Sequence, residues 1–89
     1  MAQSIMQTEK KCFVTGRTDN LEVHHCLDGS RRKKADKWGL WVYLTHDTHQ
    51  AVHFGDSKLI YALRRAAQKR FEELYSHELW MKEFGKNYL

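Results

Sequence analysis

The sequence predicts an α+β domain with two short strands, a short histidine-bearing helix and a long C-terminal helix. Three observations carry that reading. Leu21-Glu22-Val23-His24-His25 alternates apolar and polar residues, the period of a half-buried strand. Leu40 to Thr45 concentrates aromatic and β-branched residues and reads as the second strand. Between Ser57 and about Phe84, the apolar residues Ile60, Leu63, Ala67, Phe71 and Leu74 recur at helical spacing.

Size and composition agree with this class. The 89 residues suffice for one domain. A domain of this size buries roughly 60–65% of the surface its unfolded chain exposes, so its core is marginal. Hydrophobic residues make up 42% of the chain and include three Trp, four Tyr and four Phe, which excludes a disordered chain. There is no proline, so nothing forbids uninterrupted helices and strands.

Residues 1–11 are polar and read as a flexible arm, which leaves 12–89 as the domain. Cys12 to Arg17 looks like a knuckle turning at Gly16, and Thr18-Asp19-Asn20 are turn formers. In the first strand Leu21, Val23 and His25 share one face, and Glu22 and His24 share the other. Asp28-Gly29-Ser30 is a turn. The basic run after it reads as a loop with room for one helical turn. His46 to His53 forms a helix of about two turns, started by Asp47 or Thr48 and ended by Gly55. Asp56 or Ser57 caps the long helix, a bend is expected near Tyr75-Ser76, and Trp80, Phe84 and Tyr88 pack the tail onto the body.

The net charge of +4 is unevenly spread. Arg31, Arg32, Lys33, Lys34 and Lys37 surround a single acid, Asp36. Lys58, Arg64, Arg65, Lys69 and Arg70 follow without an acid among them, and then Glu72, Glu73, Glu78 and Glu83 reverse the sign. A positive field in mid-chain fits a polyanionic partner. Arg31, Arg32, Lys33, Lys34, Lys37, Arg64 and Arg65 are the candidate phosphate contacts; solvated outer faces are the plainer alternative. No apolar segment of signal-peptide or transmembrane kind is visible, and Cys12 and Cys26 are the only thiols. A reduced, cytoplasmic protein without a membrane partner is the expectation, with both thiols packing as small buried residues.

Six histidines lie between positions 24 and 77. A histidine taken singly is most often a surface residue or a satisfied core residue. These are arranged. On a helix His49 and His53 lie one turn apart on one face, the spacing at which two imidazoles share a metal ion. His24 and His25 point to opposite faces of a strand end, so one can serve a metal while the other stands near a substrate.

Read in order, these segments resemble the HNH, or ββα-metal, endonuclease superfamily, and more narrowly the small HNH-like proteins of bacteriophages. The resemblance rests on Leu21 to His25, Arg31 to Lys34, Gly39-Leu40, His49-Gln50-Ala51-Val52-His53 and the closing Phe84-Gly85-Lys86-Asn87-Tyr88-Leu89. It implies a ββα-metal core that hydrolyses DNA phosphodiester bonds. His25 would be the general base, and His24, His49 and His53 would hold one divalent ion (Mg, Mn, Ni or Zn). Imidazole ligation favours the transition metals.

Three departures qualify the resemblance. The family often carries a structural zinc on paired cysteines. Here Thr15, Thr45 and Thr48 stand where three of those thiols would be, so no structural zinc is expected. Leu40 falls near where the family's central Asn would be sought. His46 is extra: a further metal ligand, a phosphate contact or a surface residue. Two other classes therefore stay open. One is an HNH-like module whose catalysis has decayed and which binds nucleic acid or protein as a phage regulator or inhibitor. The other is a small protein whose histidines hold a fold-stabilising zinc. A larger phage protein or a second copy of the chain is a further possible partner.

Overall fold

A computed structural model describes residues 2–89. The architecture is α+β: a two-stranded antiparallel sheet and four helices. Strand β1 spans Leu21–His25 and β2 spans Trp41–Thr45. Helix α1 spans Arg32–Trp38 between them, α2 His46–His53, α3 Ser57–Leu74 and α4 His77–Phe84. No helix among the described residues is long and apolar enough to cross a membrane.

The strands pair in one register, from Leu21 opposite Thr45 to His25 opposite Trp41. Further hydrogen bonds extend the ladder past both ends, from the Cys26 amide to the Leu40 carbonyl (3.0 Å) and from the His46 amide to the Asn20 carbonyl (2.9 Å). Strand β2 passes into α2 without a loop. Thr45, the last strand residue, is also the N-cap of α2, and its side chain accepts from the Thr48 amide. The cap is therefore Thr45, ahead of the expected Asp47 or Thr48. Asp56 caps α3 through the Leu59 amide, as expected.

The basic segment is not a loop. After a single 3-10 turn, Gly29–Arg31, it forms the two-turn helix α1. Ala35 is fully buried and Trp38, three residues on, packs against the same core, so the segment has an apolar stripe that its charge density hides. Gly39 ends the helix in the left-handed region.

The long C-terminal helix is two helices. The chain breaks at Tyr75, and Ser76 caps α4 by accepting from the Leu79 amide. The break folds α4 back, so that Trp80 and Phe84 meet Phe71 at ring separations of 5.5 and 5.9 Å. Leu74, assigned to the apolar stripe, lies beside the break and is exposed. Trp80, Phe84 and Tyr88 are buried, as expected. Buried Gln68 clips the tail: its amide nitrogen donates to Asn87 (2.7 Å) and its oxygen accepts from the Tyr88 backbone (2.6 Å).

The N-terminal segment, expected as a loose arm, is tied to the body. The Ile5 amide donates to the Gly39 carbonyl (2.9 Å), and Trp41 Nε1 donates to the Ala2 carbonyl (2.7 Å). Ser4 Oγ donates to the Trp41 carbonyl (2.6 Å), and the Tyr43 amide donates to the Gln7 side chain (2.8 Å). These residues satisfy the outer edge of β2, and Ile5 and Met6 cover the core.

Gly39 is the tightest point of this docking. Its φ is +71°, and a Cβ there would run into the Gln3 carbonyl. Gly39→Ala is expected to destabilise the protein by roughly 1–2 kcal/mol, from the left-handed backbone and the displaced segment together. Denaturant melts of this variant with and without residues 2–7 check it. Truncation should shrink the penalty to the backbone part alone.

Candidate functional site

The register determines which histidines meet. Glu22 and His24 share the face of β1 turned to α2. Glu22 accepts from His46 Nδ1 and from His49 Nδ1, both at 2.8 Å. The His24 ring meets the His49 ring edge-on at 5.3 Å. His53, one helical turn after His49, brings its Nε2 to 3.2 Å from His49 Nε2. Three of the four predicted site histidines, His24, His49 and His53, thus stand together. His25, the fourth, turns toward α1, where its Nε2 lies 2.9 Å from Asp36 Oδ1. All four line one cleft of about 470 Å³, together with Arg32 and Arg64.

The two carboxylates assign protons to rings. An ionised carboxylate only accepts, so each nitrogen facing one carries the hydrogen. Hydrogen bonds from His46 and His49 lower the pKa of Glu22, and the hydrogen bond from His25 lowers that of Asp36. His49 is therefore the Nδ1–H form with its lone pair on Nε2, the atom facing His53. His25 is the Nε2–H form with its lone pair on Nδ1. Glu22 behind His49 is the carboxylate–histidine arrangement that orients metal-binding imidazoles.

These distances suit a divalent ion on two of the rings. Two imidazoles on a tetrahedral ion with metal–nitrogen bonds of about 2.0–2.1 Å hold their nitrogens about 3.3–3.4 Å apart. The His49–His53 separation of 3.2 Å is close to that. Burial first, and the neighbouring His49, His53 and His25 next, push the His24 pKa down to about 4, so its ring is neutral as a ligand must be. As the side chains stand, no group of three or more His, Cys, Asp or Glu among the described residues is set to hold a metal. The edge-on His24 ring must turn to bring a nitrogen to the pair. The residues fit an ion on His49 and His53 directly, and on His24 after that rotation.

His46 lies elsewhere. It shares Glu22 with His49 but lines a separate cleft with Arg17, Asp19 and Asp47. Its pKa is raised by the hydrogen bond it donates to the Glu22 carboxylate. Cys26 is buried and its thiol is pushed up to about 12 by desolvation, which suits packing. Both cysteines are free. Cys12 sits against the Thr15 amide at 3.5 Å, and Thr45 Oγ1 donates to Thr48 Oγ1 at 2.9 Å. Burial opposes ionisation of Cys12, but hydrogen bonds from Thr15, Thr45 and Val14 prevail and lower its pKa to about 6.

The basic candidates divide. Arg31 Nε donates to the Phe84 carbonyl (2.9 Å) and Lys34 Nζ to the Glu83 carbonyl (2.7 Å), so both serve the C-terminus of α4. Lys37 approaches the Glu83 carboxylate at 4.0 Å. Arg32 and Arg64 line the histidine cleft, and Arg64 also pairs with Asp28 at 3.1 Å. Lys33 and Arg65 are exposed. Sequence reasoning missed Glu22 and Asp36 as site residues. The only signal for Glu22 was its place two residues before His24, on the same strand face. Asp36 lies eleven residues from His25 in a segment read as a loop, and nothing local joined the two.

Comparison with protein-family models, with curated proteins and with solved structures found no match.

The His24 shift has a stability consequence of definite sign. The ring takes up its proton at about 4 in the folded protein and near 6.5 unfolded, so acid favours the unfolded chain across that window. His46, with a raised pKa, acts oppositely: its contribution is present below about 6.5 and fades as the pH rises through its folded value. Chelator-treated protein should lose melting temperature as the pH falls from about 6.5 toward 4, and His24→Asn should flatten that slope. Parallel slopes for the two proteins would exclude His24 as the group responsible.

Proposed function

We propose that the chain is a metal-dependent endonuclease of the HNH, or ββα-metal, kind, hydrolysing DNA phosphodiester bonds. One observation carries the reading. A single cleft joins two ring nitrogens 3.2 Å apart, on His49, which Glu22 orients, and on His53, to a second carboxylate-oriented histidine, His25, and to two guanidiniums. Further support comes from the knuckle positions. Cys12 touches Thr15 and Thr45, and Thr45 touches Thr48, so the four residues standing at the family's zinc-ligand positions lie side by side with only the Cys12 thiol among them.

Each side chain has a role in this reading. His25 Nδ1 takes a proton from the attacking water. Asp36 holds the His25 ring in the Nε2–H form and stabilises the imidazolium that results. Arg32 and Arg64 neutralise the phosphate at the cleft. His49 and His53, with His24, would hold the divalent ion, with Glu22 orienting His49. When bound, that ion supplies Lewis-acid stabilisation of the charge building on the phosphate and its leaving oxygen.

Plasmid nicking in the presence of Mg, Mn, Ni or Zn tests the proposal. Wild type should nick, and His25→Ala should lower the rate by about a hundredfold or more while metal affinity stays near the wild-type value. Nicking that persists in His25→Ala would remove His25 as the base. DNA binding without nicking under any metal would favour the decayed, binding-only module.

Glu22→Ala tests the orienting carboxylate independently of turnover. It should weaken metal affinity about 10–100-fold, read by calorimetry with Zn or Ni on the purified protein. Unchanged affinity would mean that His49 needs no such partner.

A further inference from the structure

We infer that Phe54 is a stacking platform for an unstacked nucleobase at the edge of the histidine cleft. The inference rests on the nuclease reading and adds the part of the substrate that the cleft residues leave unaddressed.

Phe54 is 85% exposed, the most exposed large apolar side chain among the described residues. Trp38, Trp41, Phe71 and Trp80, by contrast, each meet another ring. Among the described residues Phe54 belongs to no such ring pair. Its exposure does not come from a loose backbone. Phe54 closes α2 by donating to the Gln50 carbonyl (2.9 Å), Gly55 donates to Val52 (3.2 Å), and Asp56 donates to Ala51 (3.0 Å). Gly55, at φ +92°, then turns the chain directly into α3. The ring is displayed outward from a turn hydrogen-bonded on every residue.

Its position points to the occupant. The residues on either side, His53 and Gly55, both line the cleft that also holds His25, Arg32 and Arg64. A strand whose phosphate is gripped there has its flanking base within reach of the adjoining residue. The neighbouring chain does not favour an apolar interface. Ala51, His53 and the run from Gly55 to Lys58 are exposed and almost wholly polar or small, so Phe54 is one apolar ring in a polar field. Protein interfaces centre on contiguous apolar area. An exposed ring whose two chain neighbours line a cleft with two guanidiniums matches the surfaces that hold single-stranded nucleic acid, where the backbone is neutralised and bases stack on aromatic side chains. The preferred substrate is then DNA with an unpaired or readily unstacked base next to the scissile bond, such as a strand extension, gap or mismatch.

The test uses His25→Ala as a non-cutting background and a duplex with a single-stranded extension that carries an aminopurine reporter. Stacking on Phe54 quenches the reporter when protein binds. Phe54→Ala in the same background should abolish the quench and weaken binding about tenfold, and Phe54→Trp should retain both. Fully paired duplex should lose far less affinity. Metal affinity should be equal in all the variants, which separates the ring from the metal site. Equal quench and affinity with Phe54→Ala would overturn the inference. So would a dimer in sedimentation that Phe54→Ala converts to monomer while DNA binding is unchanged, because the ring would then cover a second copy. Nicking by the wild type is scored separately. A lost quench in Phe54→Ala beside a wild type that never cuts leaves the stacking site standing and removes the nuclease reading, and the converse result removes only the stacking site.

Discussion

The candidate site depends on the antiparallel pairing of β1 with β2, and on one residue at its end. Thr45 pairs with Leu21 as the last residue of β2 and caps α2 through the Thr48 amide. Because the strand becomes the helix at that residue, α2 leaves the sheet in a single direction, with no loop to vary it. Glu22, one residue inside the ladder, then lies within hydrogen-bond distance of the first and second turns of α2 at His46 and His49. A one-residue slip would turn Glu22 and His24 to the other face and dissolve the cluster. The burial of Val42 and Leu44 resists such a slip, since it would expose both.

Two carboxylates divide the histidines into two chemical kinds. Glu22 and Asp36 each accept from an imidazole N–H and so determine where the lone pair lies. On His49 it lies on Nε2, in the cluster. On His25 it lies on Nδ1, away from the carboxylate. Neutral, oriented rings are what ligands and bases both require, and the burial that lowers the His24 pKa keeps that ring neutral too. Burial of His24 opposes stability in acid, where that ring must charge beside His49 and His53.

The scaffold holds this small site by packing at a distance from it. Trp80, Phe84 and Tyr88 fold onto Phe71, and Gln68 closes the tail with polar contacts that leave none of its own groups unsatisfied. Arg31, at the N-cap of α1, and Lys34 within it reach to the last carbonyls of α4 and bind the first half of the chain to its end. Part of the positive charge therefore serves architecture. Arg32 and Arg64 remain at the cleft, and Lys33 and Arg65 remain exposed.

Local sequence determined β1 and the apolar stripe of α3 by their periods, β2 by its aromatic and β-branched residues, and the histidine helix by its start and stop residues, because a half-buried element imprints itself on the residues it buries. It also determined that His49 and His53 share a helix face, a consequence of helical pitch. Other features were decided by tertiary structure. The basic run is a helix because Ala35 and Trp38 find a core to cover, and a solitary pair of apolar residues among charges does not announce that. The bend expected near Tyr75-Ser76 becomes a full break, with a gain in turning Trp80 and Phe84 onto Phe71 that local spacing does not specify. Residues 2–7 are docked because the outer edge of β2 offers them unpaired backbone groups. Glu22 and Asp36 became site residues only when the register and α1 brought them to imidazoles far along the chain. Partnership across the fold leaves no period in the sequence, because the energy of a hydrogen bond depends on where its two ends meet in space.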